Sequence, residues 1–275
     1  MVSRLVSCVA LGYGLVVGSV SACDRGTFVV AVDPGHNLES PGTISARGIP
    51  EAQFNARLAE ILMDELKKRE FTQVFSTNTK GDAALTDRAK MANERGANLF
   101  VSLHHDSVQR RYLSTWTYDG KRRPYSDVFS GYSLFFSEKN GDAKRSLDFA
   151  KLVGTEFLRK CLTPTLHHAE HIQGENRPLI EGRRGIYEFD DLVVLKSTNM
   201  PAILIEAGLI VNRSDEILLG NPVYQKVIAS SIAQAVVKFC EAEASDAKED
   251  PATKQSDQQL DDDDTLCASS DPRGR

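Results

Sequence analysis

A chain of 275 residues with 41% hydrophobic content can bury a substantial core, as one large α/β domain or two small ones. Its net charge of −5 excludes the basic face that a nucleic-acid partner would need and offers no polybasic patch for a membrane surface. Neither end has a globular composition, which leaves one domain between them.

The first 22 residues hold a lone Arg4, then an apolar stretch from Leu5 to Val20, and finish Val20-Ser21-Ala22. A basic start, a short apolar region and small residues at its end describe a secretory signal over residues 1–22 better than a membrane span. The expected location is therefore outside the cytoplasm, in the periplasm or cell envelope. Val20-Ser21-Ala22-Cys23 also resembles a relaxed bacterial lipobox, with Val where Leu is usual, in which Cys23 becomes the lipidated first residue. Ordinary cleavage after Ala22 fits the same residues, and a membrane contact is expected only if Cys23 carries a lipid. Residues 23–27 read as a short linker.

Cleavage would leave four cysteines, Cys23, Cys161, Cys240 and Cys267. In an oxidising compartment a Cys161–Cys240 bridge is one option, although spacing does not fix connectivity. There is no Cys-x-x-Cys pair, which argues against a thiolate zinc site.

From Phe28 to about residue 242 strand and helix patterns alternate, as a three-layer α/β/α sandwich around a mostly parallel sheet requires. Phe28-Val29-Val30-Ala31-Val32 reads as a buried strand that Pro34-Gly35 breaks at once, so His36 is presented at the carboxyl end of a sheet. Open α/β sheets build their sites at that edge. Pro50-Glu51 opens a helix whose stripe is Phe54, Leu58, Ile61, Leu62 and Leu66. Thr72 to Ser76 is the next strand, and Asp87 to Arg95 a shorter helix stopped by Gly96. Asn98 to Leu103 is a strand that ends in His104-His105-Asp106. Residues 106–131, polar and aromatic, with the sole tryptophan Trp116, read as a long loop beside the site. Tyr132 to Phe136 is a strand and Ser146 to Cys161 a helix. Leu162 to Glu188 is irregular and carries His167, His168 and His171. Pro201 to Ile205 is a strand ending in Glu206-Ala207-Gly208, and Pro222 to Glu243 is a helix. Residues 243–275, with the run Asp261-Asp262-Asp263-Asp264, cannot bury enough apolar surface to offset their ordering entropy and are expected to form a disordered acidic tail.

Three strands thus deliver two histidines and a carboxylate to one rim. A hydrolytic zinc centre uses three protein ligands and keeps one position open for water. His36 and His104 supply two nitrogens. Glu51 is the third candidate, because the loop after His36 returns at Pro50-Glu51; the plainer reading is a first-turn carboxylate favoured by the helix dipole. Glu206 interrupts a strand of Ala, Ile and Leu, where an unpaired charge is costly, so it is the candidate general base, with an ion pair to the Arg183-Arg184 region as the alternative. Adjacent strand residues point to opposite faces, so His104 is assigned to the site and His105 to its rim or support. His167, His168 and His171 sit among Pro164, Gly174 and Pro178 and read as an exposed loop rather than a metal site.

Taken together, Asp33-Pro34-Gly35-His36 after its strand, the Glu51 helix start, Leu85-x-x-Arg88 with Ala92-Asn93, Ser102-Leu103-His104-His105-Asp106, and Pro201-Ala202-Ile203-Leu204-Ile205-Glu206-x-Gly208 with Asn212 resemble the zinc-dependent N-acetylmuramoyl-L-alanine amidases of the amidase 3 type. The motifs run in order over nearly all of residues 28–240. The resemblance implies a catalytic domain over 28–242 that binds one zinc ion (Zn2+) through His36, Glu51 and His104, with Glu206 as the catalytic glutamate. It implies peptidoglycan or muropeptides as substrate, cut between the lactyl group of N-acetylmuramic acid and the L-alanine of the stem peptide. Some members carry a long inhibitory helix over the zinc; here the corresponding Leu162–Glu188 stretch is shorter and rich in Gly, Pro and His. Two departures are Asn37-Leu38-Glu39-Ser40-Pro41-Gly42, where the family often has a glycine-rich stretch, and His105, where a small residue is typical. Two other functions stay open: a catalytically weak cell-wall-binding protein with the same fold, and a zinc carboxypeptidase acting on the stem peptide. Nothing in the sequence identifies an activator protein.

Overall fold

A strand covered on both faces needs an unbroken apolar run, and three runs here meet that demand: Val30 to Val32, Leu99 to Val101 and Ala202 to Ile205 are all 4% exposed or less. The computed structural model describes residues 23–37, 39–78 and 84–246, so the expected signal (1–22) and nearly all of the expected acidic tail lie outside the described residues. Within them the order is β1 (Val30–Pro34), α1 (Glu51–Lys67), β2 (Val74–Ser76), α2 (Leu85–Glu94), β3 (Leu99–Asp106), β4 (Ser114–Tyr118), β5 (Lys121–Tyr125), β6 (Ser133–Phe136), α3 (Ala143–Arg159), β7 (Leu179–Glu181), β8 (Ile186–Glu188), α4 (Val193–Lys196), β9 (Ala202–Leu209), α5 (Arg213–Leu219) and α6 (Pro222–Asp246).

Seven strands form one sheet in the order β2-β1-β3-β9-β6-β8-β7. The four from β2 to β9 run parallel, β6 is antiparallel to β9, β8 is parallel to β6, and β7 closes the edge antiparallel to β8. Alternation along the strands divides the core in two. Val30, Val32, Val101, Leu103, Ile203 and Ile205 pack with Phe54, Leu58 and Leu62 of α1, Phe149 and Val153 of α3, and Ile228 and Ile232 of α6. Ala31, Phe100, Ala202 and Leu204 face the other way, toward Ala92 of α2 and Val194 and Leu195 of α4. This is the three-layer α/β/α arrangement with a mostly parallel sheet. The chain leaves β1 toward β2 on one side and returns through α2 to β3 on the other, so the crevice where strand order reverses lies between β1 and β3.

The structure differs from the sequence expectations at several places. β3 continues through His104-His105-Asp106 and β9 through Glu206 to Leu209, so these groups sit within strands rather than after them. Neighbouring strands supply the pairing that keeps them extended. Residues 106–131 are not only loop: β4 and β5 pair as an antiparallel hairpin, with Trp116 opposite Arg123. The irregular Leu162–Glu188 stretch contributes β7 and β8, each three residues long and too short for an alternation to register. Helix α5 is started by Asn212, whose side-chain oxygen accepts from the backbone N–H groups of Ser214 and Asp215 at 2.9 and 3.1 Å. Helix α6 runs to Asp246, past the expected boundary at 242.

Residues 23–27 do not behave as a linker. Cys23 is buried in the α1/α6 side of the core and forms a disulfide with Cys240, 217 residues away. With Cys240 bonded to Cys23, the Cys161–Cys240 option is not the pairing observed, and Cys161 is disulfide-bonded as well. Because the bridge closes a loop of most of the domain, it removes much of the freedom of the unfolded chain. Replacing Cys240 with Ser is expected to cost about 2–5 kcal/mol, seen as a lower denaturation midpoint in urea; an unchanged midpoint would show that the bridge contributes nothing to stability.

Candidate metal centre

Parallel register does the first part of the assembly. β1 and β3 pair with Pro34 opposite Leu103, and β3 and β9 with His104 opposite Glu206, so the carboxyl ends of three adjacent strands lie side by side. His36 follows β1 with a positive φ of 63°, which turns its ring back over the sheet edge. Its Nδ1–H donates to the Ser40 carbonyl at 3.2 Å, which fixes the ring and leaves Nε2 3.1 Å from Glu51 Oε2. His104 Nδ1 lies 3.0 Å from Glu51 Oε1. The donor atoms of His36, Glu51 and His104 all fall within 4.8 Å of one another.

Glu51 reaches this position because residues 39–50 fold back onto the sheet edge. Its backbone N–H donates to the Thr43 carbonyl at 2.9 Å, and the Thr43 N–H returns a bond to Glu51 Oε2 at 3.1 Å. The loop closes tightly: Gly42 has a φ of 76°, and a Cβ there would collide with the Glu51 carboxylate and the His36 ring. Gly35 is equally constrained, since a side chain would enter the His104 ring.

Beneath the trio lies a supporting layer. Asn55, one turn along α1 from Glu51, donates to Glu51 Oε1 at 3.2 Å and to the Gly35 carbonyl at 3.0 Å. Its own carbonyl accepts from His105 Nδ1 at 2.7 Å. His105 is thus a buried support on the α1 side of β3, in keeping with its expected separation from His104, and burial lowers its pKa to about 3. Arg88 is 2% exposed and donates to the carbonyls of Pro34 and His36 at 2.9 and 2.8 Å, tying the turn that carries His36 to α2. It also faces Asp33, which accepts from Thr77 and Ser102 hydroxyls at 2.5 and 2.8 Å. Arg88 stood in a motif, but its role was not legible; Asn55 gave only the i, i+4 spacing from Glu51 as a signal.

The electrostatics fit a cation. Burial alone would raise the Glu51 carboxyl, yet hydrogen bonds from His104 and His36 reverse that and hold it well below the usual carboxylate range. Chiefly through the same bond, His36 is raised. A deprotonated carboxylate 4% exposed between two imidazoles is a nitrogen and oxygen donor set of the kind zinc takes. Glu206 is different: burial, then the charges of Asp106 and Glu51, push its pKa well up. Its Oε2 is shielded from solvent and has no hydrogen-bond partner. The alternative partner from the Arg183-Arg184 region is not realised by Arg184, which bonds Glu181 and Thr155 instead. Glu206 also lines a cavity of ≈ 170 Å³ with His168, Glu175 and Arg177.

The three remaining histidines depart from the exposed-loop expectation. His171 is exposed, but His167 and His168 are 2% and 9% exposed and turn inward toward Asp106. Sequence reading missed this because the partner, Asp106, lies sixty residues away in the chain and only the sheet brings it close.

Comparisons with known proteins agree with this architecture. Residues 30–238 match the family model described as N-acetylmuramoyl-L-alanine amidase. The amidase AmiA of Escherichia coli K12 is 26% identical over 222 residues, covering 78% of this chain and 76% of its own. An N-acetylmuramoyl-L-alanine amidase of Clostridium difficile 630 superposes with a TM-score of 0.60 at 26% identity, covering 78% of this chain and 97% of that one. Ami1 of Mycobacterium smegmatis gives a TM-score of 0.62 at 18% identity over 79% of this chain and 99% of its own, a likeness of fold. With three quarters of its length inside the family model, the chain belongs to the amidase 3 family of N-acetylmuramoyl-L-alanine amidases.

Proposed function

We propose that this chain is an exported, zinc-dependent amidase that hydrolyses the bond between the lactyl group of N-acetylmuramic acid and the L-alanine of the peptidoglycan stem peptide. One observation carries the reading: His36, Glu51 and His104 converge within 4.8 Å at the strand edge, with Glu206 opposite His104 in register. His36, Glu51 and His104 are the proposed ligands of one zinc ion and Glu206 the proposed general base. Zinc held there supplies Lewis acidity, which acidifies water and polarises the scissile carbonyl.

The protein side of the reaction follows from the placement of its groups. Glu206 takes a proton from the attacking water and delivers it to the alanine nitrogen as the amide C–N bond breaks. Burial, and then the charges of Asp106 and Glu51, raise the pKa of its carboxyl, which favours the protonated form that donates to the leaving nitrogen. Asn55 and His105 keep the Glu51 carboxylate oriented, and Arg88 holds the backbone of His36. Of the two other functions, a cell-wall-binding protein without turnover is not favoured by the family match or by the named relatives, which are amidases. A carboxypeptidase is separated from an amidase by product: free amino acids in place of intact stem peptides.

Export is part of the proposal. It is supported by the apolar leader and by the Cys23–Cys240 disulfide, a bond that persists in oxidising compartments. Among the described residues no helix is long and apolar enough to cross a membrane. The acidic tail is proposed as a solubilising end.

Glu206→Gln is expected to keep zinc and lose about 100- to 10,000-fold in turnover, measured as stem peptide released from purified peptidoglycan; near-normal release would reject the role of Glu206. Chelation should abolish release and added Zn2+ should restore it, whereas hydrolysis that survives chelation would remove the metal from the mechanism. Asn55→Ala is expected to weaken zinc binding about 10- to 100-fold in a competition titration, and unchanged affinity would show that Glu51 does not need this support.

A further inference from the structure

Outside the His36 centre, one other cluster of titratable groups among the described residues has ligand chemistry. Asp106, the last residue of β3, meets His167 and His168 from the single 3-10 turn at 167–169. His168 Nε2 lies 2.8 Å from Asp106 Oδ2, and His167 Nε2 lies 3.4 Å from the same oxygen. Both imidazoles therefore aim the same nitrogen at one point. Their other nitrogens are held from behind. Thr165 Oγ1 is 2.9 Å from His167 Nδ1, and Glu175 Oε2 is 2.8 Å from His168 Nδ1, with Glu175 Oε1 in turn accepting from Gln109 Nε2 at 2.8 Å.

This is the division of labour of metal-binding histidines, in which one ring nitrogen faces the ion and the other bonds a carboxylate or hydroxyl that sets tautomer and orientation. A second observation points to a missing ligand. His167 Nε2 is buried and has no hydrogen-bond partner, in a side chain only 1% exposed. Leaving such a nitrogen unsatisfied costs free energy unless something occupies the space in front of it. The rings are fixed by packing: His167 stacks on Phe129 at 5.2 Å, His168 meets Phe135 edge-on at 5.0 Å, and the two lie 3.9 Å apart. Little entropy remains to be lost on binding.

We propose that Asp106, His167 and His168 form a second zinc site, separate from the His36 centre, with Thr165 and Glu175 as its supporting partners. Two imidazoles and one carboxylate are a zinc-type donor set, and hard cations such as Mg2+ would prefer more oxygens. The site joins the 165–175 segment to the end of β3. His168 and Glu175 also line the cavity that contains Glu206, so an ion here would set a positive charge at the wall of that cavity. No part of this rests on the amidase reading, since the donors are different residues.

The test is zinc stoichiometry. The purified protein, stripped with a chelator and titrated with Zn2+ alone, should bind two ions per chain by calorimetry and by elemental analysis. His36→Ala should bind one, the double variant His167→Ala/His168→Ala should also bind one, and the combination should bind none. One ion in the wild type that is lost in His36→Ala would overturn the second site and leave the first intact. One ion that survives His36→Ala and vanishes with His167 and His168 would do the reverse. A second ion retained in the double variant would be adventitious and would also overturn the proposal. Should the double variant fail to fold, Glu175→Gln keeps the ring packing and is expected to weaken only this site, about 10- to 100-fold. If His168 instead serves as an imidazolium bridging Asp106 and Glu175, Zn2+ will not displace its Nε2 proton in nitrogen NMR spectra, and the site is refuted.

Discussion

The constraint from which the rest follows is a carboxylate taken out of water. Glu51 is buried at the start of α1, and desolvating a charge of that kind costs several kcal/mol unless partners restore its interactions. It receives bonds from the Thr43 and His105 backbone N–H groups and from Asn55, and it faces both His36 and His104. Each partner restricts a different piece of chain. Thr43 forces the loop after β1 to return to the sheet, Asn55 fixes the helix, His105 fixes β3, and the two imidazoles define where a cation would sit.

The sheet makes this convergence possible at low entropic cost. Reversal of strand order between β1 and β3 opens a crevice at their carboxyl ends, and parallel pairing with β9 brings Glu206 to the same edge. Below the crevice a polar network of Asp33, Arg88, Thr77 and Ser102 replaces what would otherwise be apolar packing. Its cost is offset because Arg88 and Asn78 donate to the carbonyls of Pro34 and His36 at the turn that ends β1. Support for the site thus comes from rigid elements, with the loops contributing contacts of their own.

Those loops enclose the edge. Trp116 of the hairpin donates its indole N–H to the Ala46 carbonyl at 2.9 Å, and Arg47 lies over its ring. The hairpin thereby packs on the loop that leads from His36 to Glu51. On the other side the 165–175 segment turns two histidines toward Asp106 and walls the cavity beside Glu206. The Cys23–Cys240 bridge ties the start of the domain to α6, which packs on α1 and α3.

Local sequence determined much of this protein. Buried parallel strands demand apolar runs, and the amphipathic stripes of α1, α3 and α6 need only nearest-neighbour spacing, so the main elements were legible. His36, His104 and Glu206 stood out as candidates because a polar residue at the end of an apolar strand is conspicuous without any knowledge of its partners, and Glu51 because the loop after His36 returns at the start of α1. The tertiary structure alone decided the rest. Strands of three residues such as β7 and β8 exist because a neighbour pairs with them, and the partner of Cys240 is set by where α6 packs. His167 and His168 look like surface residues in the chain and are buried only because β3 brings Asp106 to them. Interactions between residues sixty or two hundred positions apart leave no periodic trace, since their energies depend on distance in space and not on distance along the chain.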